Sequence, residues 1–188
     1  DKTDTNLFIT GKAGSGKSTL LEYFRQNTNK NFATLAFQGI TAIKAKGQTI
    51  HSFFKLDPHF LGKDDVKELR DKQVIQNLDT ILIDEISMVR ADLFDAIDLS
   101  LKKNRKNDKP FGGVQMVLFG DVMQIDPIIG SDDEVMEKFY PNGPFFFNSK
   151  SYSKKDFKQI ELTKIFRQFD KKFVNLLNKI RMNTLQNE

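Results

Sequence analysis

A glycine-rich segment near the start of the chain restricts the possible folds more than any other feature. Residues 7–24 read LFITGKAGSGKSTLLEYF, which is an apolar run, a glycine-rich turn and then a helical pattern. The turn matches G-x-x-x-x-G-K-[ST] from Gly11 to Ser18. In this pattern, backbone N–H groups surround phosphate oxygens at the N-terminus of the following helix. The order of strand, turn and helix predicts an α/β fold with a phosphate-binding loop.

Each residue type in this loop has a chemical reason. Glycines let the backbone curl closely around an anion, Lys17 supplies a charge for the β- and γ-phosphates, and the Ser18 hydroxyl can ligate magnesium. We therefore predict that the loop binds ATP and Mg²⁺. The predicted nucleotide-binding residues are Gly11, Ala13, Gly14, Ser15, Gly16, Lys17, Ser18 and Thr19. A chance match to the pattern is the alternative.

Four apolar runs are continuous rather than alternating, as is typical of parallel strands buried on both faces. They cover residues 7–9, 33–37, 81–83 and 116–119. Apolar spacings of three and four predict helices around three groups of residues: Leu20, Leu21 and Phe24; Leu93, Ile97 and Leu101; Phe173, Leu177 and Ile180. The alternation favours an open parallel sheet flanked by helices, with ligands at the carboxyl ends of the strands. Residues 55–77 are polar, and we expect a small insertion with a short helix there.

Two predicted strands end in polar residues that packing alone does not require. The run TILIDEISMV contains Asp84 and Glu85, and LFGDVMQIDPI places Asp121 and Gln124 after another strand. Buried charge is costly unless it is paired or bound to a cation. We therefore predict that Asp84 holds magnesium and that Glu85 orients and deprotonates the attacking water. Gln124 is a candidate contact for the γ-phosphate. Exposed acids, and a turn capped by Asp121 in which Gln124 is merely polar, are the alternatives.

The segment ELTKIFRQFD, residues 161–170, places Arg167 after an apolar run. An arginine there can act as a finger that stabilises charge on the transferred phosphate. By spacing alone, a surface ion pair is the simpler interpretation. The predicted catalytic residues are thus Lys17, Glu85, Gln124 and Arg167.

Composition excludes several other classes of protein. The 188 residues include no cysteine and only two histidines, His51 and His59, which excludes disulfide frameworks and thiolate or histidine-built zinc sites. No apolar run approaches the roughly 18 residues of a membrane span, and no signal-peptide pattern begins the chain. We expect an intracellular protein without a membrane partner. The net charge of +4 is compatible with a nucleic-acid partner but does not identify one.

Together these segments resemble the Pif (petite integration frequency) family of superfamily-one DNA helicases. Their motif sequences are most similar to those of bacterial members. The likeness covers nearly the whole chain. GKAGSGKST, GITAIKAKGQTIHSFF, LIDEISMV, FGDVMQIDPI and LTKIFRQ follow the order of the family's motifs I, Ia, II, III and IV. Residues 90–115 also resemble the segment that distinguishes this family from other superfamily-one helicases.

The resemblance implies a RecA-like fold in which ATP hydrolysis drives 5′ to 3′ movement on single-stranded DNA. It implies unwinding of duplexes at single-strand/double-strand junctions and of G-quadruplexes, by a protein that we expect to be monomeric. In this family Gln124 would sense the γ-phosphate, and Arg167 would contact it. Motif Ia lies along the DNA in the family, which makes these residues candidates for DNA contacts: Thr41, Thr49, His51, Ser52 and Phe53. A capped helix, a strand and a core aromatic would explain the same positions.

The resemblance also bears on organisation. Residues 55–77 fall where the family carries a small strand-separating insertion, and we expect residues 1–188 to be the first of two RecA-like domains, with the second absent. Such a fragment should bind nucleotide weakly and should not unwind DNA alone. The expected location is the cytoplasm of a bacterium, or the nucleus or mitochondrion of a eukaryote.

Two positions depart from the family. Members use a glutamine upstream of the first strand to read adenine, but no glutamine precedes Gln26. Where members commonly read Gln-Leu-Pro-Pro, this chain has Asp126 in place of the first proline. Two alternatives stay open: another P-loop ATPase, of recombinase-like or AAA type, and a nucleotide-binding interaction module that does not hydrolyse ATP.

Overall fold

The structure, a computed structural model, describes residues 3–166. Its centre is a six-stranded sheet in the order β3-β2-β4-β5-β1-β6, and every neighbouring pair is parallel. The strands are β1 Asn6–Gly11, β2 Phe32–Ala36, β3 Gln48–Thr49, β4 Thr80–Asp84, β5 Gln115–Gly120 and β6 Phe157–Leu162. Because all strands run the same way, their carboxyl ends meet at one edge of the sheet. The predicted parallel sheet flanked by helices is confirmed.

The four predicted strands are confirmed as β1, β2, β4 and β5. All six residues of β5 are buried, as are the first four residues of β4, which explains their continuous apolar sequences. Two strands were not predicted. β3 has only two residues, and β6 is an edge strand whose four central residues are exposed and mostly polar.

Six α-helices connect the strands within residues 3–166: α1 Lys17–Asn27, α2 Gly39–Lys44, α3 Ile50–Phe54, α4 Gln73–Gln76, α5 Ala91–Arg105 and α6 Asp133–Phe139. The predicted helices around Leu20 and around Leu93 are confirmed as α1 and α5. The third predicted helix, around Leu177, lies outside the described residues. Within residues 3–166, no helix combines the length and apolar character needed to cross a membrane.

The helices and the sheet form a hydrophobic core on each face of the sheet, and the two cores differ in size. α1 covers a small core built from Ile9, Leu21, Leu82, Val117 and Phe119. On the other face, α3 and α5 contribute to a much larger core in which aromatic rings interlock. At its centre, the Phe94 ring lies 5.3 Å from the Phe111 ring and 5.7 Å from the Phe146 ring. This larger core fixes α5, and hence the turn between β4 and α5 that carries Glu85.

Residues 55–77 contain the expected short helix, α4, and pack onto the larger core. Four buried apolar side chains in this segment belong to that core: Leu56, Leu61, Val66 and Ile75. Two hydrogen bonds tie the segment to the start of α5, from the Leu61 N–H to Asp92 Oδ2 at 2.9 Å and from Arg90 Nη2 to the His59 carbonyl oxygen at 2.9 Å. The strand-separating role of the segment stays a prediction.

Candidate nucleotide-binding site

The glycine-rich loop connects β1 to α1 at the carboxyl edge of the sheet. Gly16 precedes the helix with φ 95°, a left-handed conformation that glycine adopts without strain. Lys17 Nζ donates to the Gly11 carbonyl oxygen at 2.6 Å and to the Lys12 carbonyl oxygen at 3.4 Å. A β-carbon at position 11 would lie 2.6 Å from the Leu162 carbonyl oxygen, so only glycine fits between this loop and β6. The loop is therefore held around the Lys17 ammonium group.

A cavity of about 370 Å³ opens above this loop, which we call the P-loop cavity. Four separate segments of the chain line it. The lining residues are Ala13, Gly14, Gly16, Lys17, Ser18, Thr19, Glu85, Gln124 and Phe166. The structure thus brings together most of the predicted nucleotide-binding residues with Glu85 and Gln124. Gly11 and Ser15 do not line the cavity, and the buried Ser15 hydroxyl has no hydrogen-bond partner among the described residues.

The acid pair ends β4 in a strained turn. Glu85 has φ 51° and ψ 50°, a left-handed conformation that costs a non-glycine residue about 1–2 kcal/mol. The Glu85 N–H donates to Asp84 Oδ1 at 3.0 Å. The turn directs Glu85 into the P-loop cavity, and strain of this kind is commonly found where function requires it.

Burial raises the pKa of both acids. Burial raises the pKa of Asp84, against the effects of the Glu85 N–H and of Lys17. Burial also raises the pKa of Glu85, and the negative charges of Asp84 and Asp121 raise it further, whereas Lys17 lowers it. A cluster of carboxyl groups with raised pKa values in a cavity is typical of a functional site.

The turn after β5 orients Gln124 through a buried carboxylate. Asp121 is 1% exposed, and its Oδ2 accepts from Gln124 Nε2 at 3.0 Å, while its Oδ1 accepts from the Met123 N–H at 3.2 Å. Sequence reasoning treated Asp121 only as a possible cap, and it does cap this turn. Its positioning of Gln124 was missed. A β-carbon on Gly120 would lie 2.8 Å from Ile86 Cγ2, so this turn packs directly against the turn that follows Glu85.

Phe166 is a second residue that sequence reasoning missed. Its backbone N–H donates to the Gly14 carbonyl oxygen at 2.9 Å, and its ring lines the P-loop cavity beside Gly16 with 65% of the residue exposed. The only signal in the sequence was its place beside Arg167. Arg167 itself lies outside the described residues, so its role as an arginine finger stays a prediction.

The donors predicted for magnesium suit that ion. Ser18 lines the cavity, and Asp84 ends β4 beside Glu85. No group of three or more His, Asp or Glu side chains that could hold a metal ion occurs between residues 3 and 166. Mg²⁺ commonly takes one or two protein oxygens and completes its shell with phosphate and water, which fits a hydroxyl and a carboxylate next to a phosphate-binding loop.

The DNA-contact candidates do not line the P-loop cavity and lie on α2, at the end of β3 and on α3. Thr49 Oγ1 accepts from the Ser52 N–H at 3.2 Å and caps α3. The His51 ring contacts the Phe37 ring at 5.6 Å, and burial and the Arg90 charge lower the pKa of His51. Phe53 packs against the larger core, whereas Ser52 is exposed and Thr41 is half-buried. These contacts give Thr49 and Phe53 structural roles, and the DNA contacts stay predictions.

The parallel sheet, the glycine-rich loop and the acid pair define a P-loop ATPase fold of the RecA-like kind. The family model for PIF1-like helicases matches residues 1–188. The ATP-dependent DNA helicase PIF1 of Saccharomyces cerevisiae (strain YJM789) is 37% identical over 203 residues, which cover 97% of this chain and 22% of the yeast protein. The chain belongs to the PIF1-like helicase family, which confirms the resemblance read from its motifs.

Solved structures agree. A crystal structure of Bacteroides Pif1 bound to ssDNA is 41% identical with a TM-score of 0.89, over 97% of this chain and 44% of that one. Bacteroides Pif1 in complex with ADP-AlF3 and ssDNA is 40% identical with a TM-score of 0.91, over 98% of this chain and 44% of that one. The chain spans less than half the length of each of these relatives.

Proposed function

We propose that this chain is the first motor domain of an ATP-dependent 5′-to-3′ DNA helicase. In this proposal, ATP hydrolysis in the P-loop cavity drives movement along single-stranded DNA. One observation carries the proposal: the cavity collects the phosphate-binding loop, Glu85 and Gln124 from the ends of three parallel strands. The fold and family are those of ATPase motors, and relatives have been crystallised with ssDNA and with a nucleotide analogue.

Lys17 is positioned to bind the phosphates of ATP. Its ammonium group donates to two loop carbonyl oxygens, Gly11 at 2.6 Å and Lys12 at 3.4 Å. The ammonium donor is charged in both cases, and exchanging the neutral carbonyl acceptors for anionic phosphate oxygens adds the attraction between opposite charges. The N–H groups at the start of α1 point at the same ligand. The ammonium group is thus already positioned before the phosphates arrive.

Asp84 and Glu85 would have different roles in ATP hydrolysis. Asp84 and Ser18 would hold Mg²⁺, which neutralises charge on the phosphates when bound. Glu85 would orient the attacking water and take its proton. Its raised pKa makes the carboxylate a stronger base at neutral pH than an exposed glutamate.

Gln124 completes the cavity on the β5 side. One of its two amide hydrogens is donated to Asp121, which leaves the other to donate to the γ-phosphate or the attacking water. Because Asp121 fixes the amide, Gln124 would detect the presence of the γ-phosphate with little loss of side-chain entropy. Phe166 adds an aromatic surface on which a base can stack.

Further parts of the proposal concern DNA and the rest of the protein. We propose that five residues contact DNA: Thr41, Thr49, His51, Ser52 and Phe53. Residues 55–77 would separate strands at a junction or G-quadruplex. Unwinding would also need a second RecA-like domain. Arg167 would complete the ATP site. The protein would act as a monomer inside the cell, in the bacterial cytoplasm or in the nucleus or mitochondrion of a eukaryote.

The decisive experiment compares Glu85→Gln with the wild type in the full-length protein. We expect single-stranded DNA to stimulate ATP turnover in the wild type, and the variant to lose turnover by about 10²- to 10⁴-fold, the usual contribution of a general base. ATP affinity, measured with a fluorescent analogue, should stay within about threefold, because the phosphate-binding loop is unchanged. Normal turnover in the variant would exclude Glu85 as the base. Absent turnover in the wild type would favour the non-hydrolysing module instead.

A further inference from the structure

A second cavity lies on the face of the sheet covered by α5. Its volume is about 630 Å³, and it shares no lining residue with the P-loop cavity. Its walls come from residues 60–66, one side of α5, the end of α6 and residues 150–151. We call it the aromatic cavity, after Phe60, Phe139 and Tyr140. The Phe60 ring lies 5.4 Å from that of Phe139 and 6.5 Å from that of Tyr140.

The acids of the aromatic cavity are fully used by internal hydrogen bonds. Asp95 accepts from the Tyr140 hydroxyl at 2.8 Å, from the Ser151 N–H at 2.8 Å and hydroxyl at 2.7 Å, and from the Lys150 N–H at 3.2 Å. Asp98 accepts from Lys102 Nζ at 2.7 Å and from the Phe111 N–H at 2.6 Å. Asp98 is thus paired with Lys102, whereas Asp95 accepts only from uncharged donors and keeps its negative charge.

Two rim lysines keep their charge available. Lys63 and Lys150 line the cavity, and neither forms an ion pair within the part of the chain that the structure describes. Lys150 Nζ lies 5.5 Å from the centroid of the Tyr140 ring and 5.9 Å from that of Phe139. The Phe139 residue is 47% exposed, and Lys138 Nζ also lies 5.8 Å from the centroid of its ring. The cavity thus combines exposed aromatic surface with three lysines and two aspartates, a net charge of +1.

This combination fits the chemistry of a nucleotide. Bases stack on aromatic side chains whatever their sequence, and lysines hold the adjoining phosphates. The volume falls within the range of about 300–1,000 Å³ that is usual for small-ligand sites. We propose that the aromatic cavity is a second DNA site, which takes the base and phosphate of a nucleotide in single-stranded DNA. Phe60 and Lys63 belong to residues 55–77, so the proposed second site adjoins the segment proposed to separate strands.

The proposal rests on the proposed function only in taking DNA as the partner, and its test uses the 188-residue chain. Binding of fluorescein-labelled dT12 is measured by anisotropy for Phe139→Ala and Lys150→Gln. The matched controls are Phe147→Ala, which removes a partly exposed ring outside the cavity, and Lys109→Gln, which removes an exposed lysine. Thermal melting confirms that each variant is folded.

We expect Phe139→Ala to weaken dT12 binding by about five- to tenfold, since stacking of one base is lost. Lys150→Gln should weaken it less and reduce the slope of log affinity against log salt by about one unit. Both controls should stay within about twofold of the wild type. With 4-thiothymidine in the oligonucleotide, crosslinks should map to peptides that contain Phe139 and Tyr140.

Several results would overturn the proposal. Equal affinities for Phe139→Ala and Phe147→Ala, or crosslinks confined to residues 39–54, would show that the cavity does not hold DNA. A loss with Ser52→Ala but none with Phe139→Ala would leave the proposed DNA contacts of α3 intact and overturn only this site. A chain that binds ATP but not dT12 would overturn both the aromatic-cavity site and the proposed DNA contacts of α3. If free dTMP displaces dT12 when the two are at the same concentration, the ligand of the cavity is a free nucleotide. The assignment to a DNA strand is then wrong.

Discussion

Asp92 is the buried carboxylate that connects three parts of the chain, and its removal should unfold the protein more easily than any surface change. It is 0% exposed and accepts from Arg90 Nε at 2.9 Å, from Arg90 Nη2 at 2.7 Å and from the Leu61 N–H at 2.9 Å. Arg90 also donates to Asp132 Oδ2 at 3.1 Å and to the His59 carbonyl oxygen at 2.9 Å. The pair therefore joins the start of α5 to residues 55–77 and to the turn before α6.

The cost of Asp92→Ala follows from what it leaves behind. Breaking a buried ion pair from one side costs about 3–5 kcal/mol. The Leu61 N–H would also lose its partner, but Asp132 and the His59 carbonyl would still contact the Arg90 guanidinium. We therefore expect a loss of about 3–4 kcal/mol in the free energy of unfolding. At about 2–4 °C per kcal/mol for a domain of this size, the melting temperature should fall by about 6–16 °C.

Urea unfolding followed by circular dichroism measures this loss. Asp108→Ala is the matched control, because Asp108 is exposed in the loop after α5 and should change stability by less than about 0.5 kcal/mol. The double variant Arg90→Met, Asp92→Leu should recover part of the loss, since it removes both charges of the fully buried pair and leaves only the charge of the half-buried Asp132 without its partner. A loss below about 1 kcal/mol for Asp92→Ala, or one equal to that of Asp108→Ala, would refute the assignment of Asp92 as the partner that stabilises Arg90.

Two further predictions concern the acids of the P-loop cavity. Glu85→Gln should melt above the wild type at pH 7, because a carboxyl group whose pKa is raised in the folded state destabilises that state when it is ionised. The difference should shrink as the pH falls through the raised pKa, and a difference that grows at low pH would contradict this sign. Asp121→Ala should lower kcat of the full-length protein about tenfold with little change in KM, because Gln124 loses its orienting partner. A rise in KM alone would contradict the positioning role.

Much of the sheet was predictable because its strands are buried on both faces. β4 and β5 read as uninterrupted apolar runs, and polar residues directly after them indicated where the site would lie. β6 escaped prediction because an edge strand has one solvated side, so four exposed residues break its apolar pattern. β3, with two residues, is too short to show any period. These strands are defined by pairing with neighbours, which sequence periodicity does not record.

The residues of the candidate site were likewise only partly predictable from the sequence. Lys17, Ser18 and Glu85 were predicted because local chemistry explains them: a glycine-rich turn, a helix start and a strand end. Phe166 was missed because its hydrogen bond joins it to Gly14, far away in the chain. The aromatic cavity was missed for the same reason, since its walls come from four separate segments.

Asp121 shows how the ends of β4 and β5 work as one unit. Gly120 lets the two turns pack within van der Waals contact, so a carboxylate placed to hold Gln124 also lies close enough to raise the pKa of Glu85. The two effects of Asp121 are separable by chemistry. In Asp121→Asn the side-chain oxygen still accepts from Gln124, but the negative charge that raises the proton affinity of Glu85 is gone. The acid limb of the kcat profile should then move to lower pH, whereas loss of the whole side chain removes both the charge and the orientation of the amide.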